Sequence, residues 1–544
     1  MVQRVLNQGP TVYKLGLTAD PLFRFYKAIL IEAHLGKPGN RNVRPGGEGR
    51  KVGNGPFFTY LVFKSVPCAH VVGYAKSTLA GGAGESSKQS CPVIRGIASL
   101  KENDAEKRMH PLLVKHGLAL PIDLVPIKGY APLEGYPRLL PMDFLKYMAK
   151  SGNLHRLLGG VSLQQSGPVL LEFWQRYEKC HPDFELFSMD IELQDCVPIY
   201  VHADGGRGYK KSEFMVFNWS AVLGSGTGKQ NKKDPSIRQL KHSRNPMRVN
   251  LLGHSFGTHY LWAVMPIAWH KDEDSFQFML AQLGIDLREC FDQGVSLGNR
   301  RLRLVLLGLK ADLKLQARAG KLLRWYSTTR KAPLDPYRVV NRTMGLCCWL
   351  CPAGDPQFPY EEVHTEEPAW FKAMESFAEP PWRVGEETGL ISNSLRYRDR
   401  PAKFLLPDLF HIYLAGFGQD FAGSALVYLL PVAFKSPDGE SVDAQLQILN
   451  SCFRLWKQMY KVHTHLVYFA RGSLSFMDAT KTFPTGTWSK ASDTAKIISF
   501  IEHISEMWLQ ELPNDKTLYY LHAASKAIGV SMRCLYDADL FVDP

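Results

Sequence analysis

Long apolar runs are missing. No stretch of about 18 apolar residues occurs, so no membrane-spanning helix is expected. The first residues, MVQRVLNQGPTVYKLG, lack the apolar stretch of a secretory signal, and no transit peptide is evident. Cysteine is sparse. The ten thiols are scattered apart from Cys347, Cys348 and Cys351, which excludes a disulfide-stapled mini-protein and predicts reduced thiols in a nuclear or cytoplasmic, not secreted, protein. No internal repeat is present, and Cys68 and Cys91 each stand alone, without zinc-finger spacing. No helix-turn-helix is legible. A phosphate-binding loop is also lacking. Gly224-Ser-Gly-Thr-Gly-Lys229 comes near one, but Leu223 stands where its first glycine belongs and Gln230 where a hydroxyl would hold magnesium.

What is present is an ordinary globular composition, 45% apolar and 22% charged, which excludes a disordered chain and a collagen-like fibre. At 544 residues the chain has room for about three to five domains, or for one domain with large insertions. Positive charge is in excess, with a net +13 and a pI of about 9.1. Such a balance favours an anionic partner, most simply nucleic acid.

Residues 1–185 read as a helical region with Gly-rich loops at 36–55 and 80–90. Its helical signals lie at Pro21–Glu32, Asp143–Lys150 and Val169–Tyr177. The pattern changes near Cys196. Val197–Ala203 reads as a buried strand ending at Asp204, and a glycine turn follows. Glu213–Trp219 reads as a second strand and Met247–Leu252 as a third. A helical stretch runs up to Phe291, and Arg301–Leu309 is a fourth strand, with a helix beginning at Asp312. Three strands with short returns, then helix, strand and helix, is an order that the ribonuclease-H-like fold uses and that other α/β folds share. Residues 186–330 are therefore taken as the first part of an α/β (α+β) core. Residues 331–490 read as an insertion lobe, and 491–544 as C-terminal helices completing the core. Ile497, Ile501, Ile504 and Trp508 form one apolar face there.

Asp204 and Asp312 each close a predicted strand. Carboxylates at adjacent strand ends are suited to two magnesium ions about 4 Å apart, and Gly205, Gly206 and Gly208 permit close backbone approach. The plainer reading makes Asp204 a turn residue and Asp312 a helix cap. Lys210, Lys211, Lys232 and Lys233 crowd the loops between the first strands, while Lys314, Arg318 and Lys321 follow Asp312 at helical spacing. This cationic field suits a phosphate backbone. Cys348-Trp-Leu-Cys351 with the distant His411 is a partial zinc pattern that Cys347 or His364 would extend. From another class, Gly253-His-Ser255-Phe-Gly257 matches a nucleophile elbow, with Asp312 and His411 in the chain order of a hydrolase triad.

Asp204 after a strand, Asp312 in Leu309-Lys-Ala-Asp-Leu, then Cys-x-x-Cys and Pro407-Asp408-Leu-Phe-His411 form an order that resembles eukaryotic cut-and-paste DNA transposases of the DDE type. The CACTA/Plavaka-like and hAT-like groups are nearest. The resemblance covers roughly Cys196 to Phe541 and rests on the order and spacing of short motifs. It implies a ribonuclease-H-like mixed sheet interrupted by a large helical or irregular insertion. It also implies Mg2+ or Mn2+ on Asp204, Asp312 and a late glutamate, with Asp408 and His411 matching the insertion motif. Glu502, with Glu506 one helical turn on, stands for that glutamate, though neither has a family-like context. The expected partners are DNA and a second copy of the chain, and the expected ions are magnesium or manganese and, on Cys348, Cys351 and His411, zinc. The alternatives are a catalytically dead, transposon-derived DNA-binding protein and an α/β-hydrolase with Ser255 as nucleophile.

Overall fold

The computed structural model describes residues 76, 92–101, 104–116, 120–207, 213–224, 226, 247–250, 255–326, 347–362, 367–435, 441–476, 483–537 and 540–541. The helix expected at Pro21–Glu32 and both Gly-rich loops lie outside them. The chain divides into two compact units, Met1–Leu406 and Pro407–Pro544.

The first unit is built on a mixed sheet. Its strands are β1 (Cys196–Arg207), β2 (Glu213–Ala221), β3 (Tyr260–Pro266), β4 (Arg300–Lys310) and β5 (Leu405–Leu406), in the order β3-β2-β1-β4-β5. β1 runs antiparallel to β2, and β2 antiparallel to β3. β4 is parallel to β1, and β5 parallel to β4. A short strand, Val295–Leu297, forms a hairpin with the start of β4. In β4 every residue from Leu304 to Leu309 is buried, as suits a central strand covered on both faces.

Three elements differ from the sequence reading. β1 does not turn at Gly205 but continues through Gly205 and Gly206, which pair with Met215 and Phe214. A Cβ at Gly206 would stand 2.4 Å from the Phe214 ring, so the glycine makes room for that ring inside the strand. Of the expected third strand only Arg248–Val249 is extended, and it pairs with Leu223–Gly224 in a separate ribbon. The third strand of the sheet is β3 instead. Six of its seven residues are buried, so it shows no alternation that would separate it from a buried helix. Its outer edge is covered where the Leu139 N–H donates to the Trp262 carbonyl at 2.8 Å. Residues Leu405–Leu406, inside the expected insertion, supply β5.

Helices cover both faces. Here α1 is Pro141–Lys150, α2 Leu163–Cys180 and α3 Glu273–Gln293. Asp272 caps α3 by accepting the Ser275 N–H at 2.9 Å, and Gly294 ends it at φ 62°. Its apolar stripe, Phe276, Met279, Leu280, Leu283, Leu287 and Phe291, lies on the sheet face that carries Phe217. On the opposite face Trp174 of α2 donates to the Cys196 carbonyl at 2.8 Å, and the Tyr397 hydroxyl donates to Leu307 O at 2.8 Å. Gly389 opens a short helix so close to α3 that an added Cβ would meet the Ala281 Cβ at 2.2 Å and its Cα at 2.7 Å. Alanine normally favours a helix over glycine by about 1 kcal/mol. Overpacking here outweighs that gain, and Gly389→Ala is expected to lower stability by about 1–3 kcal/mol in urea unfolding.

His181, at the end of α2, packs against Tyr177 and Tyr397 with ring centroids 4.5 and 5.6 Å away, and its Nδ1 is buried without a partner. Burial, then the charge of Lys403, lowers its pKa from 6.5 to about 4. His259 is lowered to about 4 as well, by burial and by the charges of His202 and Lys310. In this window the unfolded chain binds protons that the fold refuses. The contribution is therefore whole above pH 6.5 and is lost as pH falls towards 4. Urea melts between pH 7 and 4 should show this loss, and His181→Phe should make the slope shallower.

The second unit is helical: α5 (Gly418–Ala433), α6 (Val442–Met459), α7 (Thr494–Glu511) and α8 (Lys516–Asp537). Leu426, Leu429, Leu449, Phe453, Ile497, Phe500 and Ile501 form its core. In the first unit, Leu313–Ala319 forms a further short helix, α4.

Candidate active site

The site is built where the pairing of β1 with β4 ends. Ile199 is level with Leu306. The register then shifts so that Tyr200 faces Gly308, Val201 Leu309 and His202 Lys310. Two residues past that last pair stand Asp204 and Asp312. Adjacent strands lie about 4.8 Å apart and alternate residues share a face, so Tyr200, His202 and Asp204 form one row. Val201 and Ala203 point into the core, while Tyr200 and His202 are half-buried and Asp204 is exposed.

Asp312 is the N-cap of α4, and its Oδ1 accepts the Leu315 N–H at 2.7 Å. The capping role and a place at the strand end coincide in one side chain. Around the two carboxylates lie groups that sequence reasoning missed. The Lys310 ammonium sits 3.9 Å from the Tyr200 ring centroid, and the His202 and His259 rings are 6.5 Å apart. Asn218 of β2 contacts His202 Nδ1 at 3.3 Å, and His259 Nδ1 contacts the Thr258 hydroxyl at 2.9 Å. His259 is neutral at pH 7, for the reasons given above. The signal for His202 and Lys310 was the two-residue period that ends at each aspartate. His259 carries no such signal, because it stands one residue before β3, whose unbroken apolar run shows no strand period.

The donor chemistry fits a hard cation, since two carboxylates are the oxygen ligands that Mg2+ or Mn2+ takes and magnesium keeps several waters. Among the described residues, no group of three or more His, Cys, Asp or Glu side chains is placed to hold a metal ion. Glu502 and Glu506 lie on α7, in the second unit. Glu502 is half-buried, with Oε2 3.4 Å from where a Cβ on Gly529 of α8 would stand, and Glu506 is exposed. His411 also belongs to the second unit, where its Nδ1 contacts Asp408 Oδ2 at 2.6 Å, and Asp408 Oδ1 accepts the Phe410 N–H at 2.9 Å. Cys348 and Cys351 belong to the first unit, and His364 lies outside the described residues.

Of the cationic residues, Lys210, Lys211, Lys232 and Lys233 lie outside the described residues. Lys314 and Lys321 are exposed. Arg318 is engaged on α3, bonded to Glu273 at 2.7 Å and stacked 3.9 Å over the Phe276 ring. Ser255 opens a four-residue helix, Ser255–Thr258, that leads into β3. Gly253 and His254 of that motif lie outside the described residues, and the strand that follows Ser255, β3, is antiparallel to its neighbour. No helix among the described residues is long and apolar enough to cross a membrane. No family model, no curated protein and no solved structure matches the chain.

Proposed function

We propose that the first unit holds a ribonuclease-H-like core and that the protein is a transposase-like enzyme cutting DNA by metal-assisted phosphodiester chemistry. One observation carries this reading. An antiparallel β1-β2-β3 meander is followed by β4 and β5 parallel to β1, with Asp204 and Asp312 two residues beyond the last registered pair of β1 and β4. A bound magnesium or manganese ion would activate the attacking oxygen and take up charge on the leaving one. The chain's own part is to hold oxygen ligands at two rigid strand ends and to surround them with cations. Lys310, Lys314 and Lys321 place positive charge at this end of the sheet, favourable to a phosphate backbone and weakened by salt. No protein nucleophile is required.

The test is nicking of supercoiled DNA by the purified chain with magnesium or manganese, against a chelator control. Binding that weakens with salt, together with metal-dependent nicking, is the expected result. Salt-sensitive binding without nicking would replace this reading with that of the dead DNA-binding copy. Neither binding nor nicking would remove both. Glu502→Gln in the same assay reads the third acid that the resemblance implies.

A further inference from the structure

In the second unit α8 is packed on one side only. Leu518 and Leu521 enter the core of that unit, Ile528 and Met532 lie against it, and the helix runs along α7. On the other side Tyr520, Ala523, Ala527, Val530 and Cys534 follow one another at steps of three and four residues, and all five are exposed. Tyr520, at 67% exposure, and Val530, at 45%, are large apolar side chains left to water. These steps are those of positions a and d in a heptad repeat, so the five residues make a seam about 21 Å long. A seam this narrow suits one helix laid along it. A helix that lies on a membrane shows instead a broad apolar face with Trp, Phe or Leu.

Charge narrows the choice of partner. In the same register Lys526 and Arg533 occupy the g positions beside the seam, both exposed, and neither is ion-paired among the described residues. Glu502 of α7 and Arg533 both reach the space over Gly529, yet no ion pair joins them. Between Lys516 and Tyr536 the helix carries no Asp or Glu. Residues at e and g choose the partner of such a seam by charge. A second copy gains nothing from this pattern. A parallel pair of α8 helices would set Lys526 at g against Ser531 at e, and an antiparallel pair would bring Lys526 towards Arg533. The central residues, Ala523 and Ala527, are small and leave holes for large side chains. We propose that this face of α8 is a docking surface for an acidic amphipathic helix of another protein. That helix carries large apolar residues along its own seam and carboxylates beside it, where they meet Lys526 and Arg533.

The test uses the full chain and two synthetic helical peptides of three heptads. Both have Ile and Leu in the seam, and they differ in carrying Glu or Lys at every e and g position. By fluorescence anisotropy the Glu peptide should bind with a Kd of about 1–100 µM and the Lys peptide at least tenfold more weakly. A chain with a net charge of +13 attracts any polyanion, so the deciding variant is a neutral one. Ala527→Gln with Val530→Gln changes no charge, touches only exposed positions and leaves helix formers in α8, so the fold persists. It should weaken binding of the Glu peptide at least tenfold. Lys526→Glu with Arg533→Glu should reverse the preference towards the Lys peptide. The proposal is overturned if the Glu peptide does not bind at about 1 mM. It is overturned equally if the glutamine variant binds that peptide as tightly as wild type, because the attraction is then one of overall charge. A wild-type dimer in light scattering that the glutamine variant dissociates would give the face to a second copy instead. Binding to phosphatidylserine vesicles that is lost in the glutamine variant, while the Glu peptide still binds, would give it to a lipid surface. None of these readouts depends on DNA cleavage.

Discussion

Asp204→Asn and Asp312→Asn should each lower metal-dependent nicking at least a thousandfold while leaving salt-sensitive DNA binding within about twofold. The size follows from the chemistry. A ligand that holds the cation on the reacting phosphate supports several kcal/mol of transition-state charge stabilisation, and about 4 kcal/mol is a thousandfold in rate. The two substitutions also separate catalysis from folding. Asn caps a helix about as well as Asp, so Asp312→Asn keeps a bond to the Leu315 N–H and removes only the charge. Asp204 is exposed near the end of β1, so its substitution leaves the core intact. Binding should persist because phosphate contacts come from the lysines, not from the carboxylates. Ser255→Ala is the control and should change neither readout. Loss of nicking in that variant, with both aspartate variants active, would move the chemistry to the hydrolase residues.

The parts of this site that were legible in the sequence are those where a pattern ends abruptly. β1 and β4 are apolar runs that stop at a charged residue, and Asp312 reads both as a strand end and as a helix cap. What was not legible depended on pairing. Gly205 and Gly206 carry turn chemistry, yet the Phe214 ring needs the space over Gly206, and the strand runs on through both. Tyr260–Pro266 has no polar face because it is covered on both sides and along its edge, so only its partner β2 identifies it as a strand. His259 comes near His202 through that pairing alone. β5 is two residues long and owes its place to the parallel ladder with Leu309 and Lys310. A Cβ at Gly308 would stand 2.4 Å from the Phe404 carbonyl, a close approach that no sequence period announces.

Asp286→Ala should cost about 3–5 kcal/mol, a large share of the roughly 5–15 kcal/mol that holds a typical domain folded. Asp286 is a charged residue on the buried side of α3, at 5% exposure. Its Oδ2 accepts from Arg138 Nε at 2.7 Å and from Trp262 Nε1 at 2.8 Å, and its Oδ1 accepts from Arg138 Nη2 at 3.2 Å. With side chains 12% and 3% exposed, the ion pair is screened little by water or salt. Truncation leaves the guanidinium with the Pro126 carbonyl at 3.0 Å in place of its carboxylate, and leaves the indole N–H of β3 without its acceptor in the core. Asp286→Asn keeps an acceptor for Trp262 and should fall between wild type and alanine. The double variant Asp286→Ala with Arg138→Met should lose less than the sum of the single losses, because the stranded charge is gone. Urea melts followed by tryptophan fluorescence measure wild type, Asp286→Ala, Asp286→Asn, Arg138→Met and the double variant. If Asp286→Ala falls within 1 kcal/mol of wild type, α3 is not pinned to the edge strand by this pair, and apolar packing along Phe276–Phe291 alone holds helix and sheet together.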